Sequence, residues 1–168
     1  MNRKDIENHL KSLFHLEQVL WLDYGYLSGD DTDSHIDTLV RFCPEDTLVY
    51  VKCTDENDEH YEALQRMEEQ LSSFRTLDGC AYRLLPLPMP DAIVCNGERL
   101  PATYANFLIM NEAVLYPTYA QPDNDERAKK VLSQAFPHHD IIGWIAGHSS
   151  SSMVHCIVPP CNILQDVL

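Results

Sequence analysis

The stretch Gly29-Asp30-Asp31-Thr32-Asp33-Ser34-His35-Ile36-Asp37 puts four carboxylates and an imidazole into nine residues. His35 and Asp37 are two positions apart, so in an extended segment both side chains project from one face. A carboxylate beside an imidazole raises its pKa and orients the ring; it also grips a guanidinium through paired N–H bonds. A second half of such a site is available at His155-Cys156, because a thiolate is the strongest nucleophile a side chain offers near neutral pH. Simpler roles exist for the same residues. Asp30, Asp31 and Asp33 suit an acidic turn, His35 suits a loop histidine satisfied by Asp33 or Asp37, and Cys156 suits a buried thiol. A calcium loop of the EF-hand type would need glycine and terminal glutamate positions that this stretch lacks.

The elements around these residues belong to an ordinary globular chain. At 168 residues, with 45% hydrophobic and 23% charged, one domain over 1–168 is expected, with enough apolar surface for a core. Twelve Lys and Arg against 26 Asp and Glu give a net charge of -14. That field repels phosphate backbones and anionic lipid, which argues against nucleic acid as a partner, and it attracts small cations such as an amine or guanidine. Cys43, Cys53, Cys80, Cys95, Cys156 and Cys161 form no CxxC pair. Reduced thiols in a cytoplasm are expected, most of them buried, with no zinc site and no disulfide framework. No apolar run approaches a membrane span, so no membrane partner is expected.

Helical spacing of Ile6, Leu10, Leu13 and Phe14 predicts an amphipathic helix over 4–14, packed on a sheet. The run at 18–22 predicts a buried strand leading into the acidic loop, and 47–52 predicts a second strand. Tyr61, Leu64, Met67 and Leu71 predict a helix over 58–74. A strand is expected over 82–87, followed by an extended connection through Pro86, Pro88 and Pro90. Asn96-Gly97 predicts a tight hairpin, and two short apolar runs flank Asn111-Glu112. A third helix is expected over 125–136, with Ala128, Val131, Leu132 and Phe136 inward, then a strand at 140–145, after which Gly147-His148 leads through four serines into Met153-Val154-His155-Cys156-Ile157-Val158. Helices alternating with strand pairs give an α/β or α+β class built on a repeated strand-strand-helix-strand unit.

Several stretches together resemble the agmatine deiminase and bacterial-type peptidylarginine deiminase family. They are Val19-Leu20-Trp21-Leu22, the acidic stretch through His35-Ile36-Asp37, Leu100-Pro101-Ala102-Thr103-Tyr104-Ala105-Asn106-Phe107, Val114-Leu115-Tyr116-Pro117-Thr118, Asn124-Asp125-Glu126-Arg127-Ala128 and Val154-His155-Cys156-Ile157. The resemblance implies the pentein fold, an α/β propeller of strand-strand-helix-strand modules, here as a partial ring of about half the family's length. It implies Cys156 as nucleophile, His35 as general acid/base, Asp37 as a guanidinium-holding carboxylate, and Asp31 and Asn106 as substrate-binding residues. The implied reaction is deimination of agmatine or an arginine-type guanidine through a covalent cysteine intermediate, without metal or cofactor. Two departures accompany it. Ser149-Ser150-Ser151-Ser152 stands where relatives usually carry glycines, and the resemblance covers the family's later half, so the earlier half, with a further aspartate and a Glu-Gly-Gly carboxylate, is expected to be missing. A catalytically incompetent relative serving as an interaction or oligomerising domain is therefore the second expectation, and self-association or association with an N-terminal half follows from an unclosed ring.

Overall fold

A computed structural model describes residues 1–30 and 35–146. Leu48, Val49, Tyr50 and Val51 are buried in succession, so the strand that carries them, β2 (Thr47–Lys52), is covered on both faces. Before it, β1 (Val40–Cys43) pairs antiparallel, Val40 opposite Tyr50. An N-terminal helix α1 (Arg3–Phe14) precedes these strands, and after β2 the chain continues through α2 (Tyr61–Ser73). Leu64, Met67 and Leu71 of α2 are buried at helical spacing. The chain then returns as β3 (Arg83–Pro88), parallel to β2 with Leu85 opposite Val49.

Pro86 and Pro88 belong to this strand, opposite Tyr50 and Lys52, whereas the sequence predicted an extended connection from there. Among the described residues β3 is an edge of the sheet β1-β2-β3, where alternate residues need no ladder donor.

The same unit recurs downstream. A hairpin β4 (Val94–Cys95) and β5 (Glu98–Arg99) turns through Asn96 and Gly97, both at positive φ, as the dipeptide predicts. Then β6 (Leu108–Ile109) pairs antiparallel with β7 (Ala113–Thr118), α3 (Pro122–Ala135) crosses over, and β8 (Asp140–Ile145) lies parallel to β7. Ala128, Leu132 and Ala135 of α3 are buried, and α3 packs against β3 of the first module as well as β8 of its own. Among the described residues the strand-strand-helix-strand unit thus occurs twice, and α3 packs on both copies. The serine run and the stretch around His155-Cys156 lie outside the described residues.

The packing of the helix over 4–14, the strand over 18–22 and the burial of most cysteines depart from expectation. The α1 helix buries no residue, and Ile6, Leu13 and Phe14 are exposed; its amphipathic spacing marks a face that no sheet of the described residues covers. Residues 18–22 form no ladder among the described residues; the Gln70 side chain instead holds the end of this segment. Its Nε2 donates to the Trp21 carbonyl at 3.0 Å and its Oε1 accepts from the Asp23 N–H at 2.9 Å. Of the four described cysteines only Cys53 is buried; Cys43 and Cys95 are half-buried and Cys80 is exposed. All four are free thiols.

Candidate functional site

The acidic stretch leaves the core at a clamped base. Asp30 N–H closes a turn onto the Leu27 carbonyl at 3.2 Å. Gly29 within that turn has φ +81°, and a Cβ there would collide with the Arg99 carbonyl oxygen, so only glycine fits. Ser28 N–H donates to His60 Nε2 at 2.7 Å.

His60 is held in turn by Asp58. Asp58 Oδ1 lies 2.6 Å from His60 Nδ1 and accepts from the His60 backbone N–H at 2.9 Å. Asp58 Oδ2 accepts from Arg99 Nη2 at 2.8 Å. Burial alone would raise the Asp58 carboxyl, but donation from Arg99 and His60 outweighs it and holds the pKa down at about 2.

At its other end the stretch enters a single 3-10 turn, Ile36–Thr38, with His35 at its N-cap. This corrects the extended geometry on which a shared face for His35 and Asp37 was based. Both Thr38 Oγ1, at 2.7 Å, and Thr38 N–H, at 3.2 Å, donate to the His35 carbonyl. The turn thus fixes the backbone under the imidazole. His35 is exposed and Asp37 half-exposed, and no hydrogen bond joins the two side chains among the described contacts.

The turn is tied to the segment that carries Asn106. Thr103 Oγ1, buried, donates to the Thr38 carbonyl at 2.8 Å and accepts from Ala105 N–H at 3.1 Å. Tyr119 brackets Thr103, its hydroxyl accepting from Thr103 N–H at 3.0 Å and donating to the Thr103 carbonyl at 2.9 Å. Asp125, in the first turn of α3, accepts from Tyr119 N–H at 3.1 Å and from the Tyr104 hydroxyl at 2.6 Å. Burial, then donation to Asp125, pushes the Tyr104 phenol far up, so it remains a donor. Asn106 sits half-buried between two residues whose carbonyls accept from Arg41 Nη1, Ala105 at 3.4 Å and Phe107 at 2.9 Å. The Arg41 guanidinium also lies over the Phe107 ring at 4.7 Å.

His35, Asp37 and Asn106 are therefore mounted on two segments joined by one buried hydroxyl. Asp31 and Cys156 lie outside the described residues. Sequence reasoning missed the supports, namely Thr103, Tyr119, Arg99 and the Asp58–His60 pair. Only the last left a signal, a His and an Asp two positions apart as at 35 and 37. Among the described residues no group of three or more His, Cys, Asp or Glu is placed to hold a metal.

A family model of Porphyromonas-type peptidyl-arginine deiminases matches residues 1–158. The chain belongs to that family. It is 27% identical over 178 residues to an agmatine deiminase of Medicago truncatula, covering 94% of this chain and 48% of the relative. A solved C. jejuni agmatine deiminase variant with substrate bound superimposes with a TM-score of 0.80 at 45% identity, covering 87% of this chain and 42% of that one. An Enterococcus faecalis agmatine deiminase superimposes with a TM-score of 0.76 at 25% identity, over 85% of this chain and 43% of the other. The fold is thus that of the agmatine and peptidyl-arginine deiminases, with mixed α/β content. The chain spans about half the length of the relatives it matches.

Proposed function

We propose that this family member is a hydrolase of guanidino groups, with Cys156, His35 and Asp37 as its catalytic set and Asp31 and Asn106 as substrate-binding residues. The observation that carries it is the Thr103–Thr38 hydrogen bond of 2.8 Å, which joins the turn bearing His35 and Asp37 to the segment bearing Asn106. Membership in the deiminase family supports the assignment, as does a net charge of -14, which favours a cationic substrate over an anionic one.

A guanidinium carbon is a poor electrophile until carboxylates fix and polarise the group, the work given to Asp37 and Asp31. The Cys156 thiolate then adds to that carbon to give a tetrahedral adduct. His35 protonates the departing nitrogen as the C–N bond breaks, releasing ammonia and leaving a thiouronium on sulfur. A water that gives its proton to His35 adds next, and the C–S bond breaks to free a ureido product and the thiolate. The sum is guanidine plus water giving urea-type product plus ammonia, and the chemistry assigned to these residues needs neither metal nor cofactor. We place the substrate among small guanidines such as agmatine and arginine-type side chains, and the working compartment in the cytoplasm. No helix among the described residues is long and apolar enough to cross a membrane.

The test is ammonia release from agmatine and from an arginine-containing peptide by the folded chain, beside Cys156→Ala. Release by the parent that disappears in the variant supports the assignment. Undiminished release by Cys156→Ala, or none from any guanidine by the folded parent, overturns it. A haloacetamidine that labels another cysteine in preference to Cys156 counts against the nucleophile.

A further inference from the structure

His60 is 1% exposed, precedes the first turn of α2, and has no task in the deiminase chemistry of Cys156, His35 and Asp37. Both of its ring nitrogens are committed. A backbone N–H always donates, so the 2.7 Å contact from Ser28 requires a lone pair on Nε2 and places the proton on Nδ1. That proton meets Asp58 Oδ1 at 2.6 Å, and Asp58 is held by Arg99 at 2.8 Å. A histidine satisfied within its own helix would suffice for packing. Here the acceptor nitrogen is directed instead at a loop amide 32 residues away.

The contacts on either side of Ser28 converge on the same block. The Tyr26 hydroxyl donates to the Glu59 carbonyl at 2.9 Å, and its ring lies 5.2 Å from that of His60. Gly29 packs against the Arg99 carbonyl, and Arg99 also reaches Glu59 at 3.2 Å. We infer that His60 is a positioning residue for the site: as the Nδ1–H tautomer braced by Asp58, it grips Ser28 and sets where the chain departs toward His35 and Asp37. This rests on the deiminase assignment. The far end of the same stretch is fixed at Thr38 by Thr103, and Thr103 and Arg99 lie on one short segment, so both ends are referenced to a common support.

Two substitutions separate positioning from packing. His60→Gln extends an amide oxygen to the place of Nε2 and keeps an acceptor for Ser28. His60→Asn keeps a donor near Nδ1 for Asp58 and removes that acceptor. The expected result is a kcat within about threefold of the parent for His60→Gln, and a loss on the order of tenfold to a hundredfold for His60→Asn with KM changing less. The ring resonances of His35, followed by NMR, shift in His60→Asn and stay at parental positions in His60→Gln. That measurement needs no turnover, so a parent that releases no ammonia removes the deiminase assignment while the His35 resonances still decide the positioning role. Equal effects of the two substitutions, or a His35 ring unmoved in His60→Asn, overturn it. The nitrogen spectrum of the parent alone is a further check, since a proton found on Nε2 of His60 overturns the inference even if neither variant folds.

Discussion

The Thr103 hydroxyl donates to the Thr38 carbonyl at 2.8 Å across 65 residues of sequence. Through it the loop ahead of β6 and the turn ahead of β1 share one buried proton donor. Because Tyr119 holds both the N–H and the carbonyl of Thr103, and Asp125 holds Tyr119, the position of the turn bearing His35 is set from the first turn of α3.

Thr103→Val keeps the shape and removes the donor, leaving the Thr38 carbonyl and the Ala105 N–H without it. A loss of about 1–3 kcal/mol is expected from urea unfolding. Tyr119→Phe should cost a similar amount, and the double variant less than the sum by about 1 kcal/mol, since both changes break one network. Strict additivity would show that the bracket does not act through Thr103.

Gly29 and Gly97 both have positive φ, at +81° and +87°, but differ in surroundings. A Cβ at Gly97 meets nothing within 4 Å, so Gly97→Ala should cost only left-handed strain, about 1 kcal/mol. Gly29→Ala adds a collision with backbone at Arg99 and should cost about 3 kcal/mol or more. Chemical denaturation of the two variants side by side decides it, and equal midpoints would contradict the close approach.

Asp58 titrates at about 2 in the folded chain, below the ordinary value of 3.8. A depressed carboxyl stabilises the fold fully above its unfolded pKa, and that stability disappears as pH falls from about 4 toward 2. The expected contribution is on the order of 2 kcal/mol at neutral pH. Asp58→Asn should therefore unfold more easily than the parent at pH 6 and approach it near pH 2. A gap that stays constant down to pH 2 would remove Arg99 and His60 as the cause.

Burial pushes the Cys43 thiol up to about 11 and also raises Cys53, while Cys80 is exposed. At pH 8, iodoacetamide should alkylate Cys80 at least about tenfold faster than Cys43 or Cys53, read by peptide mass spectrometry over time. Comparable rates at Cys53 would mean that the β2 end opens readily.

Apolar periodicity made the two strand-strand-helix-strand units legible, because Leu64, Met67 and Leu71, or Ala128 and Leu132, face one way whatever they face. The same logic misled at α1, since an amphipathic pattern identifies a face and not a partner. At 18–22 no strand pairs with the segment among the described residues, and a glutamine side chain from α2 holds its Trp21 carbonyl. At the site, residue type singled out His35 and Asp37, yet Asp37 lies in a 3-10 turn that His35 caps, held by Thr38. The supporting residues were hidden for a different reason. Ser28 to His60, Thr103 to Thr38 and Tyr119 to Thr103 are bonds across 32, 65 and 16 residues, and each involves a residue type that occurs everywhere.

The prolines of β3 leave the first sheet with a one-sided margin. Pro86, exposed, and Pro88, buried, both lack an N–H that could donate to an incoming strand. An incoming strand would lose about every second rung of its ladder there. This edge is therefore a poor template for cross-β growth, and aggregation of the chain should begin elsewhere.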